Sequence, residues 1–338
     1  MKIYLPVCHS YGIVPCVAQF CGISLCSLKK IILFISFIYV DIASAQLIYQ
    51  NVLVQYDSAW TYKNLQLIPI KFKTDPDFIW RAGLPKNVIS LQEAMRSGKV
   101  EIKEMNFNKD ADVGVLLVKN NTKKNILINS GELITGGKQD RVSAETIIIP
   151  SGKEENYLSV FCVEKGRWSK KAKPFSYSGS VDLELRRKID IAKRQADIWH
   201  EIDRQFTNQN KKADTWPYLD LYQAHSPADS LYLNYFLQKM KNSDSSYAGF
   251  IAIAGKRIIA CEVFATEDYL LNSYPAMLIG FIHSVLPDDD IPSVKYPALK
   301  AFADPLFQSE KSQNEFLAAH GKADKWQGKT IHLIAYAD

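Results

Sequence analysis

Two apolar runs near residue 250 constrain the fold most. Phe250-Ile251-Ala252-Ile253-Ala254 is followed, across Gly255-Lys256-Arg257, by Ile258-Ile259-Ala260-Cys261-Glu262-Val263-Phe264. Short apolar runs rich in β-branched and aromatic residues read as strands, and a short Gly-bearing connection makes them a tight hairpin. Such a hairpin needs cover for its apolar faces, so the rest of the chain has to supply a sheet or helices to pack on it.

More strands precede it. Leu47 to Pro69 alternates loosely and reads as an entry strand or two. Val100 to Met105 alternates apolar residues with Lys and Glu, the half-exposed pattern, whereas Val113 to Val118 is more continuously apolar. Asn120-Asn121-Thr122-Lys123-Lys124 is turn chemistry, and Asn125 to Ile128 returns, which predicts a hairpin over 113–128. Strands over 142–149 and Tyr157 to Glu164, joined by Ser151-Gly152-Lys153, extend an antiparallel region over 100–168.

Helices come between and after. Ser90-Leu91-Gln92-Glu93 is a capping box, and Gly98 fits a left-handed stop. From Ser180 to Phe206, Leu185, Ile189, Ala192, Ala196, Trp199, Ile202 and Phe206 fall at helical spacing. Arg186, Arg187, Lys188, Lys193 and Arg194 would then form a basic outer surface. A second helix is expected over Asp229 to Lys241. Glu267 to Val285 looks helical, with Pro275 as a break or first-turn residue, and Thr330 to Tyr336 closes the chain as a strand. The expected class is α+β: a mainly antiparallel sheet with packed helices, in one large domain or two intimately packed halves. The parts are β-rich 46–170, helical 180–245 and hairpin-helix-strand 248–338.

The first 45 residues stand apart from this pattern. Lys29-Lys30, the uncharged apolar run Ile31 to Val40 and the small residues of Ala43-Ser44-Ala45 form a cleavable secretory signal over about 28–45. Cleavage after Ala45 would leave Gln46 as the first residue, in a periplasmic or secreted protein without a permanent membrane span. Residues 1–28 carry Cys8, Cys16, Cys21 and Cys26 without periodicity, and the expected translation start is near Leu28. Without residues 1–45 the chain has 38 Lys and Arg against 35 Asp and Glu, a net charge of +3. That is too weak to argue for nucleic acid or an anionic membrane.

Only Cys162 and Cys261 follow the cleavage site. They could pair in an oxidising compartment. Alternatively Cys162 could be a buried side chain, or a nucleophile with His332 as its base. No zinc spacing occurs and the histidines are scattered, so no metal and no cofactor are expected.

Two polar clusters flank an apolar strand run, Thr146-Ile147-Ile148-Ile149-Pro150. In the first, Gly136-Gly137 permits positive φ and close backbone approach, Lys138 and Arg141 supply cationic donors, and Gln139 and Asp140 orient a bound group. In the second, Leu158, Val160, Cys162 and Glu164 share one strand face by the two-residue period. Glu164 thus emerges at a sheet rim beside Arg167 and Trp168. Glu164, alone or with Glu132, is the candidate acid or base, and Trp168 is a stacking platform or a core cap. Each cluster also reads as a plain structural network, with Asp140–Arg141 or Glu164–Arg167 pairs.

Gly131-Glu132-Leu133, Gly136 to Arg141 and Cys162 to Trp168 resemble the ARG and rhodanese-phosphatase-superfamily-associated protein domain family. Gln195-Ala196-Asp197-Ile198-Trp199, Gly249 to Phe264 and Ile331-His332-Leu333 extend the resemblance over most of 50–338. The family name implies association with ADP-ribosylglycohydrolase-type and rhodanese or phosphatase proteins, and it supplies no reaction. An export signal departs from an intracellular ADP-ribose role. The expected function is therefore binding of a polar or anionic small ligand, nucleotide- or sugar-derived, at a sheet edge. The alternatives are a hydrolase using Glu164 or Glu132, and a non-catalytic envelope interaction module.

Overall fold

The computed structural model of the chain describes residues 47–73, 81–107, 110–167, 173–222, 226–243, 246–285 and 290–337. The leader reading of residues 1–45 and the Trp168 assignment lie outside the described residues. In chain order the elements begin β1 (Val52–Val54), β2 (Trp60–Tyr62), β3 (Leu65–Phe72), β4 (Val88–Ser90), α1 (Leu91–Arg96), β5 (Val100–Phe107) and β6 (Asp110–Asn120). They continue with β7 (Asn125–Ile128), β8 (Glu132–Gly137), β9 (Arg141–Ser143), β10 (Ile147–Ile149), β11 (Glu155–Cys162) and β12 (Lys173–Ser180). Next come α2 (Leu183–Arg187), a π turn (Lys188–Ala192), α3 (Gln195–Asn208), a 3₁₀ turn (Tyr218–Leu221) and α4 (Pro227–Lys241). The last part is β13 (Tyr247–Ala254), β14 (Arg257–Phe264), α5 (Glu267–His283), α6 (Tyr296–Phe307), α7 (Glu310–His320), β15 (Gly321–Trp326) and β16 (Lys329–Tyr336). The fold is α+β, with mostly antiparallel sheets.

One sheet runs β1-β3-β13-β14-β16-β15 with β2 on β3, so segments from both ends of the described chain share it. All eight residues of β13 are buried, which is why its sequence is apolar throughout rather than alternating. Helix α5 packs against β13, β14, β4 and β12 and is buried from Tyr269 to Ile282 on several faces. A helix apolar all round has to sit inside a protein. Pro275 lies within α5 without ending it. Its missing N–H would have met the carbonyl of Leu271, on the exposed side of the helix where Leu271 is 47% exposed.

A second sheet runs β12-β8-β9-β11-β6-β5, and a small one β10-β7-β4. The expected hairpin over 113–128 does not form. β6 pairs with β5 and β11, whereas β7 pairs with β10 and, in parallel, with β4. Asn120 redirects the chain. Its buried amide donates to the carbonyls of Lys124, Ile149 and Pro150, and its Oδ1 accepts from the Thr122 N–H. The strand expected over 142–149 is likewise two short strands, β9 and β10, in different sheets.

The helical stripe expected from Ser180 to Phe206 is broken. The π turn follows α2, and Lys193 adopts φ 53° before α3 begins. The extra residue rotates the register, so Ala196 is exposed and Ile198 buried. Arg186 is not on an outer surface but 2% exposed. The segment 296–326, which showed no element in the sequence, forms α6, α7 and β15. Its α7 capping box uses Ser309 and Ser312, without the acidic residue that makes such boxes recognisable. Among the described residues no helix is long and apolar enough to cross a membrane.

Candidate functional site

β8 carries the first cluster to its position. The strand ends in Gly136 (φ 123°) and Gly137 (φ 52°). A Cβ on Gly136 would lie 2.3 Å from the Pro174 carbonyl oxygen, so only glycine lets β12 approach this closely. The β8–β12 pairing thereby sets Lys173 opposite Gly137 and Ser176 opposite Thr135. After Gly137 the chain turns back into β9, and the Asp140 carboxylate holds the turn by accepting the Gly136 N–H at 2.9 Å.

β11 brings the second cluster beside it. β11 pairs with β9, and just beyond it the Val163 N–H donates to the Asp140 carbonyl at 3.1 Å. Glu164 follows, 4% exposed and bridged to Pro217. Arg167 then folds back over both clusters. Its Nε donates to Glu164 Oε2 at 2.5 Å and its Nη2 to Asp140 Oδ1 at 2.7 Å. Longer contacts of 3.4 and 3.5 Å reach the carbonyls of Gly136 and Gly137. Gln139 donates to the Glu164 carbonyl at 3.0 Å, and Thr215 Oγ1 donates to Glu164 Oε1 at 3.0 Å.

Around this network opens a cleft of about 410 Å³. Asp140, Glu164, Arg167 and Gly136 line one side, Lys173 and Ser176 of β12 another, and Pro217, Leu219 and Asp220 a third. Its charged lining is three carboxylates and two cations, close to balance. Burial, helped by the like charge of Glu164, raises the Asp140 pKa above its usual value, against the opposing pull of the Gly136 N–H and Arg167. A cleft so lined offers fixed acceptors, fixed donors and hydroxyls to a polar solute.

The side chain of Arg141, another member of the first cluster, faces a different partner. Arg141 is 1% exposed and its Nη2 lies 3.6 Å from Glu104, while the Lys138 backbone N–H donates to the same carboxylate at 2.8 Å. Neither residue lines the cleft. Thr135, Lys173, Ser176, Leu219 and Asp220 do line it and were not anticipated. Only Thr135, two residues before Gly137, carried a sequence signal; the others arrive through strand pairing and a turn remote in sequence.

Glu132 and Glu164 do not form a pair. Glu132 lies at the opposite end of β8 from Gly137, about 17 Å away along the strand. It is 1% exposed, and burial raises its pKa to about 7 despite bonds from Asn129 and the charge of Arg186. Its Oε1 accepts from Asn129 at 3.0 Å, and its Oε2 has no hydrogen-bond partner.

Of the readings open for Cys162, the buried side chain holds, and the disulfide and the nucleophile do not. Cys162 and Cys261 are buried thiols on β11 and β14 of different sheets, and no disulfide links them. Burial pushes both thiols up, away from the nucleophilic thiolate. His332 does not serve Cys162. Its Nε2 lies 2.9 Å from Glu262, and its Nδ1 lies 2.9 Å from Asp324 and 3.1 Å from Thr146. Burial opposes protonation of this imidazole, but Asp324 and Glu262 outweigh it and raise its pKa.

His332 belongs instead to a sealed charge network. Arg186 makes a bidentate pair with Glu262 at 2.7 and 3.0 Å and lies 3.8 Å from Asp190. Lys322 bridges Asp190 and Asp324 at 3.0 and 3.1 Å, and Asp190 also accepts from Tyr336 and Ser130. Cations and carboxylates alternate through it, as burial of charge requires. Among the described residues no group of three or more His, Cys, Asp or Glu is arranged to hold a metal ion.

The family model described as the ARG and Rhodanese-Phosphatase-superfamily-associated Protein domain matches residues 53–336. No curated protein and no solved structure matches the chain.

Proposed function

The chain belongs to the ARG and Rhodanese-Phosphatase-superfamily-associated Protein domain family, and we propose that it binds a polar, hydroxyl-rich small ligand, sugar-derived rather than strongly anionic, in the 410 Å³ cleft. One observation carries this reading: two polar clusters apart in sequence meet at one opening, held there by Arg167 across Asp140 and Glu164. The near balance of charge in the lining, with the Arg141 guanidinium directed to Glu104, favours hydroxyls over phosphate groups. Arg167 and Asp140 would fix the ligand's orientation, and Ser176 and Lys173 would meet its outer edge. The sequence pattern of Lys29 to Ala45 supports export, which would place the ligand outside the cytoplasm.

Acid–base catalysis on the same ligand is the second reading. It is favoured by the raised pKa of Asp140 at the cleft wall, a better-placed acid than the sealed Glu132. Glu164 would then orient Arg167.

A thermal-shift series tests the binding reading with neutral sugars, cell-wall fragments, sugar phosphates, nucleotides and ADP-ribose. A ligand at about 100 times its dissociation constant should add about 2.7 kcal/mol. The shift should vanish in Arg167→Ala and weaken in the exposed-site variants Lys173→Ala and Ser176→Ala, which leave the ion-pair network intact. No shift with any compound would overturn the reading and favour a non-catalytic interaction module.

A further inference from the structure

A second cavity of about 390 Å³ lies along the same elements as the cleft. Leu219 lines both openings. On β8, Thr135 borders the cleft and Leu133 the cavity; on β12, Ser176 borders the cleft and Ser178 the cavity. Each pair is one two-residue step, about 7 Å, along the same strand face. The Thr135 hydroxyl is bonded to a serine at each opening, Ser176 Oγ at 3.1 Å and Ser178 Oγ at 2.6 Å.

The cavity differs from the cleft in chemistry. Leu237, Ile279, Pro275 and Ala276 from α4 and α5 close it against the aromatic rings of Tyr218 and Tyr222. Both tyrosine hydroxyls are committed to Asp182, at 2.7 and 3.0 Å, so they present ring faces and edges. His283 stacks on Tyr222 at 4.2 Å with its Nε2 3.6 Å from Asp229. Its buried Nδ1 has no hydrogen-bond partner. Leu133, Leu219 and Leu233 add to this apolar wall, while the polar side chains Gln92, Ser178 and Ser180 are fewer, and a mainly apolar, aromatic-walled space suits a hydrocarbon group.

We propose that cleft and cavity form one elongated site for an amphiphile. An uncharged hydroxylated head would sit in the cleft and a hydrocarbon chain would pass Leu219 into the cavity. This rests on the cleft reading above and adds the class of ligand: a glycolipid-like molecule rather than a free sugar.

Calorimetric titration of the protein with methyl β-glucoside, octyl β-glucoside, octyl phosphate and octanol, all below micellar concentration, tests it. Octyl glucoside should bind at least about tenfold tighter than methyl glucoside, a factor about two buried methylenes supply. It should also bind about tenfold tighter than octanol or octyl phosphate. Ala276→Phe, which fills the cavity, should abolish the gain from the chain and leave methyl glucoside unchanged. Leu237→Glu, at a position 36% exposed on the rim, does the same without burdening the core. Equal affinity for methyl and octyl glucoside, or chain gain that survives both variants, overturns the amphiphile proposal and leaves the cleft reading standing. Octanol binding as tightly as octyl glucoside overturns both, because the head then contributes nothing. Tighter octyl phosphate overturns the uncharged head.

Discussion

Replacing Glu132 by Gln should remove a loss of stability that the wild type suffers as pH rises. The Glu132 carboxyl is 1% exposed, receives one side-chain hydrogen bond from Asn129, and leaves Oε2 unpartnered. Ser273 holds Asn129 in place by donating to its Oδ1 at 2.8 Å, so the pocket cannot easily turn a second donor towards Glu132. Burial therefore dominates and raises the pKa from 4.5 to about 7. The sign follows from linkage. A folded-state pKa above the unfolded one contributes stability that is complete below pH 4.5 and is lost as pH rises through about 7. At about 1.36 kcal/mol per pKa unit, the wild type should lose about 3 kcal/mol between pH 4 and pH 8 that Glu132→Gln does not lose. The new amide N–H₂ would itself lack a partner, a cost independent of pH, so the measurement is the slope rather than the absolute gap. Urea unfolding at a series of pH values, with the denaturant slope checked for constancy, gives the difference directly. Parallel stability curves for the two proteins would refute the argument that burial of Glu132 outweighs its compensation by Asn129 and Arg186.

The sealed network around Arg186 carries the other expectations. Arg186→Ala leaves Glu262 and Asp190 buried with less charge compensation, and should cost about 3–5 kcal/mol in chemical denaturation; a loss under about 1 kcal/mol would show that water reaches these groups. Glu262 and Asp324 are each held down to about 2, against burial, by Arg186 and His332 and by His332 and Lys322 respectively. Depressed carboxyls stabilise above their unfolded pKa values, so stability should fall as pH drops from about 4.5 to 2 and the fall should be shallower in Glu262→Gln, read by acid titration of the circular dichroism signal.

The secondary structure was legible wherever the side-chain period is local. The Phe250–Phe264 hairpin follows from two apolar runs and a short turn, and forms as β13 and β14. The inward face of Leu158, Val160 and Cys162 follows from the two-residue period. Periodicity failed where a single residue changes the path. Asn120 sends β7 to another sheet, and Lys193 shifts the register between Leu185 and Ile198. α7 was hidden because serines take both places in its capping box.

The two polar clusters were visible as dense runs of chemistry-bearing residues, but their meeting was not. Arg167 reaches Asp140 only because β9 pairs with β11, and the far wall of the cleft comes from Pro217 to Asp220, about 50 residues beyond Glu164. Arg186 shows the same division. Its spacing among Arg187 and Lys188 matched a solvated basic face, yet it is buried against Glu262, 76 residues away. Sequence alone determined the strands and helices whose side-chain period is regular, such as β13, β14 and α5, because the backbone period and apolar burial act over a few residues. Tertiary structure decided which charges lie inside and which polar groups share a cleft, because a buried charge is tolerated only where a distant segment supplies its partner.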